Sequence, residues 1–435
     1  MIRLIGFKSS LVSKEIVSIK GTFNFLYMAY LGERLGNDPR IKYSVLTIIS
    51  DFFFENDIAI SILNEIPIYD LESIPMKFIS DYGQSIPAIK NTIVSILTNF
   101  LKTFLNLKYS ETAYSIDNIT FFLIGIMTSE FSNFREVYEV IEFFNDSMTN
   151  ISSEDEIKLL VNEENRKKNS DNNSNTFSKQ NSSSINCTVI SKMIFNLLTK
   201  QNEIFVKLIN KGLSVDKNRL KCEILEYFRH MIYYIDLLNF DNFILEDKSL
   251  YSFLEVCIKN ATEKNIESKK AFKYKLIENT LKLLLYAYNY TRNNYDMQKL
   301  TRNFFIEQEQ DSPLIQILIN KDNDYNVKYM ILNFFKELIE QNDKQLNNYF
   351  LLKSELVYNC LEEIPKSDPL IQRLQCFILD LLSVYDEYNS KFGLGFEIQI
   401  NGELMKRIDN ILTYQSTEFR SFFEHFQQKY LNFNK

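Results

Sequence analysis

The stretch Ile41-Lys42-Tyr43-Ser44-Val45-Leu46-Thr47-Ile48-Ile49 decides the fold of this chain, because its pattern recurs. An apolar residue and a lysine come first. After two variable residues there is an apolar pair, and after two more there is a final apolar residue. Further copies begin at Ile89 (IKNTIVSIL), Leu220 (LKCEILEYF) and Val327 (VKYMILNFF). A pattern that returns in this way indicates a repeated structural unit.

Two copies agree well beyond the nine-residue pattern. The segments NDPRIKYSVLTIISDFFFEND (37–57) and NDYNVKYMILNFFKELIEQND (323–343) align without a gap over their whole length. A weaker relative, DPLIQRLQCFIL, begins at Asp368. Copies start at 41 and 89, and the aligned aspartates are Asp324 and Asp368, so the recurrence is roughly every 40–50 residues, which is typical of stacked helical repeats.

The apolar spacing within a copy predicts an amphipathic α-helix. Ile41, Val45, Ile49 and Phe52 fall at intervals of three or four residues, which places them on one helical face. Asp38-Pro39 supplies a start signal, with the aspartate as N-cap and proline in the first helical position. Pro87 and the pair Asp368-Pro369 stand in the same place in their own copies. Similar spacing between the copies predicts further helices, one of them over 187–210 (CTVISKMIFNLLTKQNEIFVKLIN).

The composition favours helices joined by short connections. The 435 residues include only 10 Gly and 7 Pro, whereas hairpins and nucleotide-binding α/β folds need glycine at turns. The 36 Phe and 25 Tyr are sufficient for a large core. A net charge of −7 argues against a nucleic-acid partner, and the longest apolar run, 119–127, is too short for a membrane span.

One segment interrupts the helical pattern. Residues 162–186 read NEENRKKNSDNNSNTFSKQNSSSIN and contain only two large apolar residues, Phe177 and Ile185, so they cannot bury enough surface to offset the entropy of ordering. We therefore predict helical repeats over 1–160, a disordered insert over 161–186, and helical repeats of the same array over 187–435. A second exception is 392–402 (FGLGFEIQING), which we interpret as a loop or short extended piece.

The DP-x-[I/V]-K-x-x-[V/I]-L helix followed by an Asn-Asp turn resembles the armadillo/HEAT superfamily of α-solenoids. The resemblance covers about three quarters of the chain and concerns architecture alone. It implies an all-α, right-handed α-solenoid of roughly eight to ten units that are irregular, because the glycine between helices in well-kept armadillo repeats is missing. The extended concave surface of such a fold implies a protein or peptide partner.

No motif for catalysis, a cofactor or a metal is present. The two histidines, His230 and His425, lie in helical patterns without an HExxH or comparable constellation, so we interpret both as packed or surface residues. Gly393-Leu394-Gly395 would open a GxGxxG motif, but Ile398 replaces its third glycine. We expect no catalytic, cofactor-binding or metal-binding residues, and no enzyme.

Two further features have alternative interpretations. The repeated lysines Lys42, Lys90, Lys221 and Lys328 either line a binding groove or, as we favour, lie over neighbouring apolar residues. The run Phe52-Phe53-Phe54 exceeds what one helix face buries, so it either packs on an adjoining helix or exposes a patch.

The leading functional hypothesis is a non-catalytic scaffold or adaptor in the cytoplasm or nucleus, with no integral membrane segment. Five scattered cysteines, without a CxxC pair, favour a reducing compartment. Fold analogy suggests two alternatives: a nucleotide-exchange factor for a seventy-kilodalton heat-shock chaperone, and the head domain of a vesicle-tethering or transport protein. An enzyme on a helical scaffold and peripheral membrane binding are more distant alternatives.

Overall fold

A computed structural model describes most of the chain before residue 340. The described residues are 21–32, 38–54, 56–65, 68–107, 113–149, 158, 189–215, 217–237, 247–262, 270–290, 312–320 and 323–340, with six separate positions between 417 and 428. Every regular element in these ranges is an α-helix, so the all-α prediction is confirmed. The chain divides into two compact units, Met1–Leu245 and Glu246–Lys435.

Ten helices are described in the first unit: α1 (Thr22–Tyr30), α2 (Pro39–Phe54), α3 (Asn56–Glu65), α4 (Ile68–Tyr82), α5 (Pro87–Leu107), α6 (Ala113–Thr128), α7 (Phe134–Thr149), α8 (Val189–Thr199), α9 (Gln201–Ser214) and α10 (Asn218–Leu237). Four are described in the second: α11 (Asp247–Thr262), α12 (Lys270–Tyr290), α13 (Pro313–Ile319) and α14 (Tyr325–Glu340). The four complete copies of the repeat lie in α2, α5, α10 and α14.

The helix starts predicted at Pro39 and Pro87 are confirmed. Helix α2 begins at Pro39, and the Asp38 carboxylate accepts a hydrogen bond from the Arg40 backbone N–H at 2.8 Å. The Asp324 carboxylate accepts from the Asn326 N–H at 2.9 Å at the start of α14. Each carboxylate satisfies an N–H that has no partner within its helix. Pro87 is the first residue of α5, as predicted.

Eight of the ten helices described in the first unit form two layers. Helices α2, α5, α7 and α10 pack side by side in that order, and we call them the first layer. Helices α4 and α6, then α8 and α9, form the second layer, with α6 in contact with the other three. The layers meet because α4 packs on α5, α6 on α7 and α9 on α10.

Apolar residues at helical spacing form the core between the layers. In α2 the buried side chains are Val45, Leu46, Ile48, Ile49, Phe52 and Phe53. In α5, Phe100 is 1% exposed, and its ring centroid lies 5.3 Å from that of Phe53. The repeat pattern therefore supplies the buried face of each first-layer helix that carries it.

The described part of the second unit contains two helix pairs. Helix α11 packs on α12, and α13 packs on α14. The pairs also contact one another, α11 through α13 and α12 through α14. The Tyr274 hydroxyl of α12 donates a 2.6 Å hydrogen bond to Asp324 at the start of α14. The repeat helix α14 is thus held by its neighbour as well as by its own cap.

One prediction needs correction, and others concern residues outside the described ranges. The stretch 187–210 was predicted as one helix, but its described part forms two helices, α8 and α9. The helix is interrupted at Lys200, and both α8 and α9 pack on α6. The insert 161–186, the Asp368 copy and the 392–402 segment lie outside the described residues. Among the described helices, none combines the length and the apolar character that crossing a membrane requires.

Candidate functional site

A groove of about 720 Å³ opens on the first layer, between α5 and α7. The end of α2 and the start of α10 contribute one residue each, Phe54 and Arg219. We call it the α5–α7 groove. Its lining comes from four helices that are consecutive in the layer but separated in the chain.

Each wall of the groove is one face of a helix. Helix α5 contributes Ser95, Thr98, Asn99 and Lys102, which are spaced by three, one and three residues. Helix α7 contributes Phe134, Arg135, Tyr138, Glu139, Glu142, Phe143 and Asp146. Spacing of three and four residues brings side chains to one side of a helix. The two walls are therefore regular, and most of the residues on each wall have a polar or charged group.

A three-residue cluster closes the groove on the side of α10. The Tyr138 hydroxyl donates to the Glu142 carboxylate at 2.6 Å. An Arg219 guanidinium nitrogen lies 3.5 Å from the same carboxylate, and the guanidinium carbon lies 4.1 Å from the Tyr138 ring centroid. Burial, followed by the hydrogen bond to Glu142, raises the pKa of Tyr138 well above its usual value. The phenol stays protonated, so it remains a donor to Glu142.

Glu139 lies on the floor of the groove in a different environment. Burial raises the pKa of its carboxyl, while a hydrogen bond with Ser95 and the charge of Arg135 act in the opposite direction. Ser95 is also 3.3 Å from Ser50 of α2, hydroxyl to hydroxyl. The carboxyl is therefore held by a hydroxyl contact between α5 and α7.

The phenylalanine run of α2 divides between the core and the groove. Phe52 and Phe53 are 4% and 2% exposed, whereas Phe54 is 77% exposed and lines the groove. Successive helical residues point about 100° apart, so one face cannot bury all three. Both alternatives given for this run therefore hold in part. Phe52 and Phe53 pack in the interior, and Phe54 is exposed at the groove.

The repeated lysines do not line this groove. The Lys42 ammonium lies 5.7 Å from the Tyr30 ring centroid, and that of Lys90 lies 5.0 Å from the Tyr82 ring. Lys221 is 2% exposed, and its ammonium donates to the Val215 carbonyl at 2.7 Å. The contacts of Lys42 and Lys90 agree with the favoured interpretation that the lysines cover neighbouring side chains, whereas Lys221 is itself buried.

The covered tyrosines join helices through carboxylates. The Tyr30 hydroxyl donates to Asp81 at 2.6 Å, and the Tyr82 hydroxyl donates to Glu136 at 3.0 Å. Glu136 is 1% exposed and also accepts from the backbone N–H of Asn133, whose side-chain oxygen accepts from the Glu136 N–H. This reciprocal arrangement caps α7. The polar network is therefore structural.

The two histidines differ in burial. His230 is half-buried in α10, and burial, then the charge of Arg229, lowers its pKa to about 4. Its Nε2 has no hydrogen-bond partner among the described residues. His425 is exposed. Within the same residues, no three His, Cys, Asp or Glu side chains are grouped so as to hold a metal ion.

The groove and the contribution of α7 to its lining were not predicted from the sequence. Helix α7 carries no copy of the repeat, yet it stands in the first layer between two helices that do. Its polar stripe, Arg135, Tyr138, Glu139, Glu142 and Asp146, has helical spacing that was visible in the sequence. Nothing in that stripe indicates which helix will face it.

No protein-family model matches the chain, and no curated protein matches it in sequence.

Proposed function

We propose that this chain is a protein-binding scaffold on an α-solenoid of the armadillo/HEAT type, and that the α5–α7 groove receives a segment of the partner. The observation that carries the proposal is the groove itself. It lies on a layer of successively packed helices, has two regular polar walls, and holds an aromatic side chain that is 77% exposed.

Several features of the groove suit a polypeptide ligand. The Asn99 side chain can pair with a backbone N–H or C=O, and Phe54 offers exposed apolar surface. Exposed aromatic residues next to satisfied polar groups are common in protein interfaces. The absence of a motif for bond-making chemistry in the sequence leads us to propose binding without catalysis.

The repeat architecture supports the same proposal. Three helices of the first layer, α2, α5 and α10, carry the repeat, and each packs on the helix next to it in the layer. Stacked helical repeats make extended surfaces suited to other proteins. We place the chain in the cytoplasm or nucleus, a proposal supported by Cys222 and Cys257, which are buried and not in disulfides.

Photo-crosslinking tests the proposal. Lys102, an exposed groove residue, is replaced by p-benzoylphenylalanine, and the matched control carries the same replacement at Lys200, which is exposed outside the groove. We expect the Lys102 position to capture a recurring protein that the Lys200 position does not. The captured protein, once purified, should bind the wild-type chain and lose affinity for Phe54→Ser. Capture that is equal at both positions would count against the groove.

A further inference from the structure

We propose that the partner segment places a lysine or arginine side chain against Glu139 and an apolar side chain against Phe54. This inference rests on the proposed function and specifies the chemistry of the segment. It follows from the charges along the two walls of the groove and from which of them already have a partner.

Glu139 is an acidic group in the groove without a cation of its own. No lysine or arginine nitrogen among the described residues lies within 4.0 Å of its carboxylate. Arg135 stands one turn earlier on α7 and acts on it only at longer range. The contact that remains is the Ser95 hydroxyl. A half-buried carboxylate with one neutral donor keeps capacity for charged donors.

The other charges that face Glu139 are either occupied or located at the rim. On α7, Glu142 is held by Tyr138 and Arg219, the latter from α10. Asp146 is exposed at the far end of α7, and Lys102 is exposed on α5. A bound cation at Glu139 would therefore meet an available carboxylate without displacing the existing ion pair. Burial raises the pKa of Glu139, and a bound cation would lower it again.

At the Glu139 position the charges argue against an anionic group, although the exposed cations Lys102 and Arg135 also line the groove. A phosphate in the groove would lie beside the carboxylates Glu139, Glu142 and Asp146, while Arg219 is already bound to Glu142. Like charges at such distances repel. A cationic side chain is attracted to Glu139, and its aliphatic stem can lie along the exposed ring of Phe54. A basic residue next to an apolar residue is thus the complement of this groove.

The test compares two matched libraries of N-acetylated octapeptides on the full chain. One library has arginine at position four between leucines, with the other positions randomised. The second has citrulline, a neutral isostere of arginine, at position four. Binding is measured by fluorescence polarisation. We expect the arginine library to bind about tenfold more tightly or better, because a charge-assisted hydrogen bond to a carboxylate is worth roughly that factor.

Two variants test whether the preference for arginine over citrulline depends on Glu139. Glu139→Gln keeps an oxygen for the Ser95 contact and removes the charge, so it should bring the two libraries to equal affinity. Glu203→Gln, on an exposed position of α9 outside the groove, should leave the preference unchanged. Circular dichroism checks that both variants are folded, and the comparison of the libraries on the wild-type chain needs no variant.

Equal binding of arginine and citrulline by the wild-type chain would overturn the inference. So would a preference that survives Glu139→Gln. If these results occur while the Lys102 cross-linker still captures a partner, the chemistry assigned to the segment is wrong but the groove remains a binding site. If neither library binds and the cross-linker captures nothing specific, the proposed function fails as well.

Discussion

Tyrosine hydroxyls connect helices of the first unit that are separated in the chain, through carboxylates that are partly or fully buried. Tyr30 of α1 reaches Asp81 of α4, and Tyr82 of α4 reaches Glu136 of α7. Burial opposes ionisation of Asp81, but the hydrogen bonds from Tyr30 and Lys77 outweigh it and lower the pKa of the carboxyl. Each contact satisfies two groups that would otherwise be costly to remove from water.

Replacing Tyr82 by phenylalanine should destabilise the first unit by about 1–3 kcal/mol, because the buried Glu136 carboxylate loses its phenolic donor. The free energy of unfolding is measured by urea titration. Tyr43→Phe is the matched control, since its hydroxyl makes no hydrogen bond to the described residues, and it should change stability little. An equal loss in both variants would show that the hydrogen bond to Glu136 is not the cause.

His230 should make the protein less stable on mild acidification. Burial lowers its pKa to about 4, against an ordinary value of about 6.5 in the unfolded chain. Between these values the unfolded chain binds a proton that the native chain does not. Stability associated with this group is therefore complete above pH 6.5 and is lost as the pH falls towards 4.

The variant His230→Leu removes this titration. Between pH 7 and pH 5 the wild-type chain should lose about 1–2 kcal/mol more unfolding free energy than the variant does. Glu226 and Arg229, the charged neighbours that act on the ring, are present in both proteins, so the difference isolates the histidine. Parallel pH profiles for the two proteins would contradict the prediction. Denaturant titration at each pH supplies the measurement.

At the scale of the helix, the two most similar copies of the repeat use the same start chemistry with different surroundings. Asp38 and Asp324 each accept a backbone N–H two residues further on. Asp324 also accepts from Tyr274 of α12, whereas the side chain of Asp38 is also 3.9 Å from its exposed neighbour Arg40. Equivalent sequence positions thus carry different amounts of tertiary interaction.

Asp38 and Asp324 allow a matched comparison of the two helix caps. Asp38→Ala should lower the local stability of α2 by about 1 kcal/mol, the usual value of an N-cap. Asp324→Ala should cost α14 about 1 kcal/mol more, because the hydrogen bond from Tyr274 is lost as well. Amide hydrogen exchange followed by mass spectrometry reads each helix separately. Equal losses in the two helices would mean that the Tyr274 contact adds nothing to the cap.

At the scale of the whole molecule, each unit is organised by contacts between neighbouring helices. In the first layer α5 lies between α2 and α7, and α7 lies between α5 and α10. Where each element contacts only its neighbours, stability is approximately a sum of local terms, and damage spreads over a short distance.

Phe100→Ala tests this organisation. Phe100 of α5 is 1% exposed, and its ring centroid lies 5.3 Å from that of Phe53 and 4.7 Å from that of Phe104. Its loss should cost about 3–5 kcal/mol through the cavity it leaves. Hydrogen-exchange protection should fall most in α2, α5 and α7 and least in α9. Phe121→Ala, at a ring that is 45% exposed in α6, should have a small effect. A uniform loss across the unit would contradict the nearest-neighbour organisation.

Properties that depend on residues close in the chain were predictable from the sequence. The helices that carry the repeat, their apolar faces and the capping role of Asp38 follow from spacing and local hydrogen bonding, and the structure confirms them. The armadillo/HEAT assignment and the scaffold function stay predictions. The break at Lys200 was not foreseen, because the apolar pattern continues across it and the packing on α6 separates the two helices.

The repeated [I/L/V]-K-x-x-[I/V]-[L/V] pattern by itself determined that this chain is helical and which face of each copy is buried, since amphipathic spacing acts within one helix. Only the tertiary structure decided that α7, which lacks the pattern, joins the same layer. It also decided that Phe54, Ser95, Glu139 and Arg219 line one groove. These residues come from four helices, and their meeting depends on how the helices pack against one another, which no local spacing encodes.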